Sequence, residues 1–143
     1  MSPNTAITSE LIVAYRATNY QVSSNTEPFV MRIGHRSVEL AHLFEQTGKT
    51  GAAFITAENP LSQTSEQQEN AANRASLRED LAAAGAIILE GAGQGEDRGW
   101  PAEASFMAIG ISSEHACELG RKYRQNAIVW IGSDAVPELV VLH

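Results

Sequence analysis

Apolar and polar positions along the chain alternate with two periods, and the switches between them mark out the elements. Ile7, Leu11, Ala14 and Tyr15 recur at helical spacing, which predicts an opening helix over about 5–17. Two short extended stretches follow, Tyr20–Ser23 and Phe29–Ile33. The turn-forming run Ser24-Asn25-Thr26-Glu27-Pro28 between them reads as a hairpin. Ser37 is placed to cap a helix through Gln46, with Val38, Ala41 and Phe44 as its apolar stripe and Gly48 as its stop. A strand-length apolar run occupies 51–57. Ser65 with Gln68 has the form of a capping box and opens the longest helix, which ends at Gly85. Strands are expected at 86–90, 104–109 and 127–131. A helix capped by Ser112 or Ser113 runs to Arg124, and a last extended piece covers 139–142.

From residue 51 to 131 the order is β-α-β-β-α-β, the order of a ferredoxin-like split βαβ core. The expected fold class is therefore α+β. An N-terminal α-β-β-α segment over 1–48 precedes the 51–143 core, a C-terminal strand closes it, and the whole chain, 1–143, forms one domain. The runs GAAFITA, AIILE and AIVWI are apolar almost throughout, so their strands need cover on both faces. Two helices cover one face. The other falls to the N-terminal segment or to a second copy of the chain.

Composition narrows the function. The chain has 143 residues, 17 acidic against 10 basic, for a formal charge of −7. That balance repels a phosphate backbone at long range and weighs against nucleic-acid binding. No apolar run reaches the roughly 20 residues that span a bilayer, and the first residues lack the order of a signal peptide. One cysteine, Cys117, leaves no internal disulfide and no multi-cysteine zinc site. The expectation is a soluble, cytoplasmic protein that keeps away from membranes.

The chemistry-bearing residues are predicted to gather at one end of the sheet. In a split βαβ order the C-ends of 51–57 and 86–90 share an edge with the N-ends of 104–109 and 127–131. Those positions carry Thr56, Glu58, Asn59 and Ser62; the run Gly91-Ala92-Gly93-Gln94-Gly95; Arg98, Trp100 and Glu103; and Arg124, Gln125 and Asn126. Polar groups delivered from separate segments to one rim are the pattern of a small-molecule site. The glycine run leads into a strand rather than a helix, so it is a hairpin loop and not a dinucleotide fingerprint. On the long helix Asn70 and Asn73 share a stripe with Leu77 and Leu81 and point inward near its N-terminus, an end that favours anions. Glu103 opens an otherwise apolar strand, where a carboxyl can serve as acid or base, against the plainer role of a salt bridge to Arg98, Arg121 or Arg124. Glu58 is the weaker catalytic candidate. His35, His42, His115 and His143 have no metal-ligand spacing, no P-loop, HExxH or G-x-S-x-G motif is present, and no metal or cofactor is indicated.

Several strings are familiar as a set: Tyr15-Arg16-Ala17-Thr18-Asn19-Tyr20; Phe54-Ile55-Thr56-Ala57-Glu58-Asn59-Pro60; Asn70 with Asn73; Gly99-Trp100-Pro101-Ala102-Glu103-Ala104-Ser105-Phe106; and Gln125-Asn126-Ala127-Ile128-Val129-Trp130. Together they resemble the bacterial domain-of-unknown-function family numbered 3293, over nearly the full length. The resemblance implies a bacterial, stand-alone, cytoplasmic protein and lends no activity or site residue.

The functional expectation is a domain that binds a small polar, anionic ligand, nucleotide-like or phosphorylated. Thr56, Asn59, Ser62, Asn70, Asn73, Gln125 and Asn126 would orient the ligand. Arg98 and Arg124 would meet its charge, and Trp100 would stack on it or close the site. A hydrolase or transferase using Glu103 is the enzyme version. The alternative is a non-catalytic interaction or regulatory module that pairs as a homodimer through its apolar strands and exposed edge.

Overall fold

The computed structural model describes residues 9–23, 27–58, 66–94 and 103–142. Helix α1 (Ser9–Ala17) leads into the hairpin β1 (Asn19–Val22) and β2 (Phe29–Met31). Then come α2 (Val38–Thr47), β3 (Ala52–Ile55), α3 (Gln67–Ala83), β4 (Ile87–Gln94), β5 (Glu103–Ile109), α4 (Ser113–Lys122), β6 (Ala127–Ile131) and β7 (Pro137–Val141). The result is a mixed α/β fold around one seven-stranded sheet of order β2-β1-β4-β5-β3-β6-β7. Every neighbouring pair is antiparallel.

Local chemistry sets several of the boundaries. The Ser37 side chain accepts from the Leu40 N–H and starts α2, while Gly48 takes a left-handed φ of 69° to end it. Ser112 accepts from the His115 N–H at the start of α4. The long helix departs from expectation: its N-cap is Glu66, which makes no side-chain cap bond, and Ser65 lies outside the described residues. The α2 stripe shifts as well. Leu40 and Phe44 are buried, whereas Val38 in the first turn is 64% exposed.

Both faces of the sheet are covered from within the chain. On one face Ala53, Ile55, Phe106, Ala108 and Ile128 pack with Leu77 and Leu81 of α3 and Ala116 and Leu119 of α4. On the other, Ala52, Phe54, Met107, Ile109, Val129 and Ile131 pack with Leu40 and Phe44 of α2 and with Tyr20, Val22, Phe29 and Met31 of the hairpin. Strands apolar at nearly every position are what such double cover requires. The N-terminal segment supplies it.

The largest departure is at the glycine run. Gly91 to Gln94, expected as a loop, continue β4 and carry the whole pairing to β1: Asn19 with Gln94, Tyr20 with Gly93, Gln21 with Ala92, and Val22 with Gly91. A Cβ at Gly91 would lie 2.6 Å from the Gln21 carbonyl oxygen and 2.7 Å from the Phe54 ring. No residue larger than glycine fits there unless the hairpin or the ring moves. The glycine that weakens strand propensity is the one that lets β1 dock.

Candidate functional site at the sheet rim

The antiparallel order brings the C-ends of β3 and β4 to the same end of the sheet as the N-ends of β5 and β6. At that end Thr56 Oγ1 donates to the Ala104 carbonyl at 2.9 Å and accepts from the Glu58 N–H at 3.1 Å. Gln125 Nε2 donates to the Glu58 carbonyl at 3.1 Å and to the Tyr123 carbonyl at 3.2 Å. Three chain segments are thereby tied at one rim. Among the described residues the buried polar ones are Ser37, Ser105, Gln125 and Asn126. All but Ser37 stand here. Burying an amide is costly unless its groups are paired, so this concentration needs a reason.

Within the rim the sheet divides the candidates. Glu103 pairs with Gly93, and Gly93 with Tyr20, so these three share the face that carries Tyr20 and Phe54. Asn126 stands on the opposite face: its carbonyl accepts from the N–H of Leu142, which packs with α3 and α4. Asn70 and Asn73 are half-buried on α3, the helix that covers that opposite face. Glu103 and the inward amides therefore share an end of the sheet but not a side of it. Asn59, Ser62, Arg98 and Trp100 lie outside the described residues.

Electrostatics on the α3/α4 side centre on two pairs. Arg74 Nη1 meets Glu58 Oε2 at 3.0 Å, and the carboxylate is the more sequestered partner, 12% exposed against 43%. Further along α3, Asp80 Oδ2 takes the Lys122 ammonium at 2.8 Å and the Tyr123 hydroxyl, which also bonds Ser76 Oγ at 2.6 Å. The Lys122 and Tyr123 hydrogen bonds hold the Asp80 carboxyl below its ordinary range. Burial, reinforced by the acceptor Asp80, pushes the Tyr123 phenol up. Arg78 lies over the Phe106 ring, 5.6 Å from its centroid.

Arg124 is the strained member. It adopts a left-handed φ of 58° just past α4, where the Arg124 N–H bonds the Arg121 carbonyl and the Gln125 N–H bonds the Gly120 carbonyl. This six-to-one closure is the Schellman stop, whose left-handed position glycine normally fills. An exposed arginine stands in it instead.

Sequence reasoning missed Arg74 and the Ser76–Tyr123–Asp80–Lys122 network. Ser76 and Asp80 are four apart on one helix, so their shared face was legible; that Tyr123 would reach them was not. Among the described residues no three His, Cys, Asp or Glu side chains come together as metal ligands would, and no helix is long and apolar enough to cross a membrane.

Comparison with known proteins brings one match. The model of a family described as a protein of unknown function (DUF3293) matches residues 55–128, the span from the end of β3 to the start of β6 that builds the rim. No curated protein and no solved structure matches the chain.

Proposed function

We propose that this chain, which belongs to the DUF3293 family of proteins of unknown function, binds a small polar, anionic ligand on the α3/α4 side of the rim. The observation that carries this is Arg124. A non-glycine residue held in left-handed backbone costs on the order of 1 kcal/mol, and such strain tends to persist where a side chain has work to do. The neighbouring Gln125 and Asn126 are buried amides, and Arg74 is fixed by Glu58 beside Asn73. In this reading Arg124 and Arg74 meet the ligand's charge, while Asn70, Asn73 and Asn126 orient it. A nucleotide-like or phosphorylated compound has the matching chemistry.

The sheet order β4-β5-β3-β6, with α3 and α4 on one face, supports regarding the core as ferredoxin-like. A hydrolase or transferase role for Glu103 belongs to the same proposal only for a ligand that reaches round the N-end of β5, because Glu103 shares its face with Tyr20. Binding is accordingly the leading function and catalysis the extension. A cytoplasmic site of action fits a chain whose one cysteine is unbridged.

A homodimeric interaction module is the second reading. It is favoured by Val30 on β2 and Val141 on β7, 50% and 38% exposed on the two edge strands.

Thermal-shift and calorimetric titrations with a nucleoside triphosphate, a sugar phosphate and inorganic phosphate separate the two. Binding is expected for at least one, with affinity reduced at least tenfold in Arg124→Gly and in Asn73→Ala. No response to any of the three, with a tight dimer by sedimentation, would replace binding by the interaction role.

A further inference from the structure

The flank of α3 that turns away from α4 carries two arginines. Ser76 and Asp80 reach across to Tyr123 and mark the α4 side of the helix. Leu77 and Leu81 face the sheet. Arg74 and Arg78, one turn apart, share the other flank, where side chains at this spacing have Cβ atoms about 5–6 Å apart.

Each arginine is held by a different partner. Arg74 Nη1 donates to Glu58 Oε2 at 3.0 Å. The Arg78 guanidinium lies over the Phe106 ring, its Cζ 5.6 Å from the centroid. Phe106 pairs with Ile55, and Glu58 follows three residues later on the exit from β3, so the two anchors are separated along the strand direction. Both guanidinium groups remain open to solvent.

Like charges at this spacing oppose each other on a helix, and the chain has 17 acidic residues from which a separating partner could be drawn. Among the described residues Arg78 nevertheless makes no ion pair. Glu90 stands opposite Phe106 on the same face of the sheet and does not engage it. Covering Phe106 requires only the aliphatic stem, which methionine would supply without a charge. Arginine adds a planar fork of N–H donors that matches phosphoryl oxygens. Arg74 commits one nitrogen to Glu58, and Arg78 commits none to a carboxylate.

We infer that Arg78 is a second anion-binding residue beside Arg74, and that the ligand carries two linked phosphoryl groups, one meeting each arginine. A single phosphoryl group engages only the rim end, where Arg74 and Arg124 stand. Glu90 bounds the anionic stretch beyond Phe106. This rests on the reading that the rim binds an anion, and it adds the class of anion.

Calorimetric titration of the full-length protein with inorganic pyrophosphate and, separately, with inorganic phosphate tests it. Pyrophosphate should bind about tenfold or more tighter than phosphate. Arg78→Met keeps a stem over Phe106; it should weaken pyrophosphate about tenfold and phosphate less than about twofold, so that the preference collapses. Arg78→Lys should restore part of the preference, and Arg36→Met, an exposed arginine outside α3, should leave it intact. If Arg78→Met leaves the preference unchanged while Arg124→Gly weakens both ions, the rim binds anions and the role of Arg78 is overturned. Equal losses for both ions in Arg78→Met would also overturn it, because the side chain would then act through the fold. No binding of either ion to the unaltered protein would remove this inference together with the reading beneath it.

Discussion

The Gln125 side-chain amide donates to the Glu58 carbonyl at 3.1 Å, joining the start of β6 to the end of β3 across 67 residues of sequence. The same amide bonds the Tyr123 carbonyl at 3.2 Å, so one buried side chain fixes the end of α4, the β3 exit and the spacing between them. Glu58 in turn holds Arg74. The rim is thus shaped by a relay from α4 through β3 to α3.

Gln125→Ala should destabilise the domain by about 1–3 kcal/mol, because two carbonyls lose their donor in a buried setting. Urea unfolding measures this directly. A change below about 0.5 kcal/mol would show that water replaces the amide without loss and that the relay is not holding the rim.

Arg124→Gly separates stability from binding. Glycine relieves the left-handed backbone but gains freedom in the unfolded chain, so a net stabilisation of about 0.5–1 kcal/mol is expected. The variant should melt a few degrees higher and bind more weakly. A lower melting temperature would mean that the Arg124 side chain holds the fold, and the strain argument for function would lapse.

The glycine pair in β4 should respond unequally. Gly91→Ala collides with the Gln21 carbonyl and the Phe54 ring, and a loss of about 1–3 kcal/mol is expected from overpacking. Gly93→Ala meets nothing closer than 3.7 Å and should be near neutral. Chemical denaturation of the two variants makes the comparison, and equal losses would contradict the register described for β1 and β4.

The Asp80 network predicts a limb in stability against pH. The Lys122 and Tyr123 hydrogen bonds lower the folded-state pKa of Asp80, so its contribution is fully present above the unfolded value near 4 and disappears as pH falls through the lower folded value. Tyr123→Phe removes one of those bonds. Stability differences between the two proteins should therefore be larger at pH 6 than at pH 2. A gap independent of pH would assign the effect to packing alone.

Much of this was legible in the sequence because periodicity reports burial. The order of the elements, the Ser37, Gly48 and Ser112 signals, and the shared end of the four central strands all follow from local patterns that tertiary structure did not override. Double cover of the sheet was likewise readable from strands with no polar face. The glycine run was not. Glycine disfavours strands on average, and only the approach of Gln21 and Phe54, both distant in sequence, explains why Gly91 belongs in one. The side of the sheet was also hidden. Alternation puts Glu103 and Ser105 on one face, but which face that is depends on where α2 and the β1–β2 hairpin pack. That is why Glu103 and Asn126 share an end yet stand on opposite sides. Arg124 was legible as a charged candidate, but its left-handed backbone was not, because the residue that signals such a helix end is glycine and an arginine there gives no sign of it.

The most direct test of the central claim is a heteronuclear NMR titration of the isotope-labelled protein with a nucleoside triphosphate and with a sugar phosphate, reading the side-chain amides of Asn70, Asn73, Gln125 and Asn126 and the guanidinium signals of Arg74 and Arg124. Binding at the rim predicts saturable shifts concentrated on those groups, with the α2 amides unmoved. Saturable shifts centred elsewhere, or none at millimolar concentration, would contradict it.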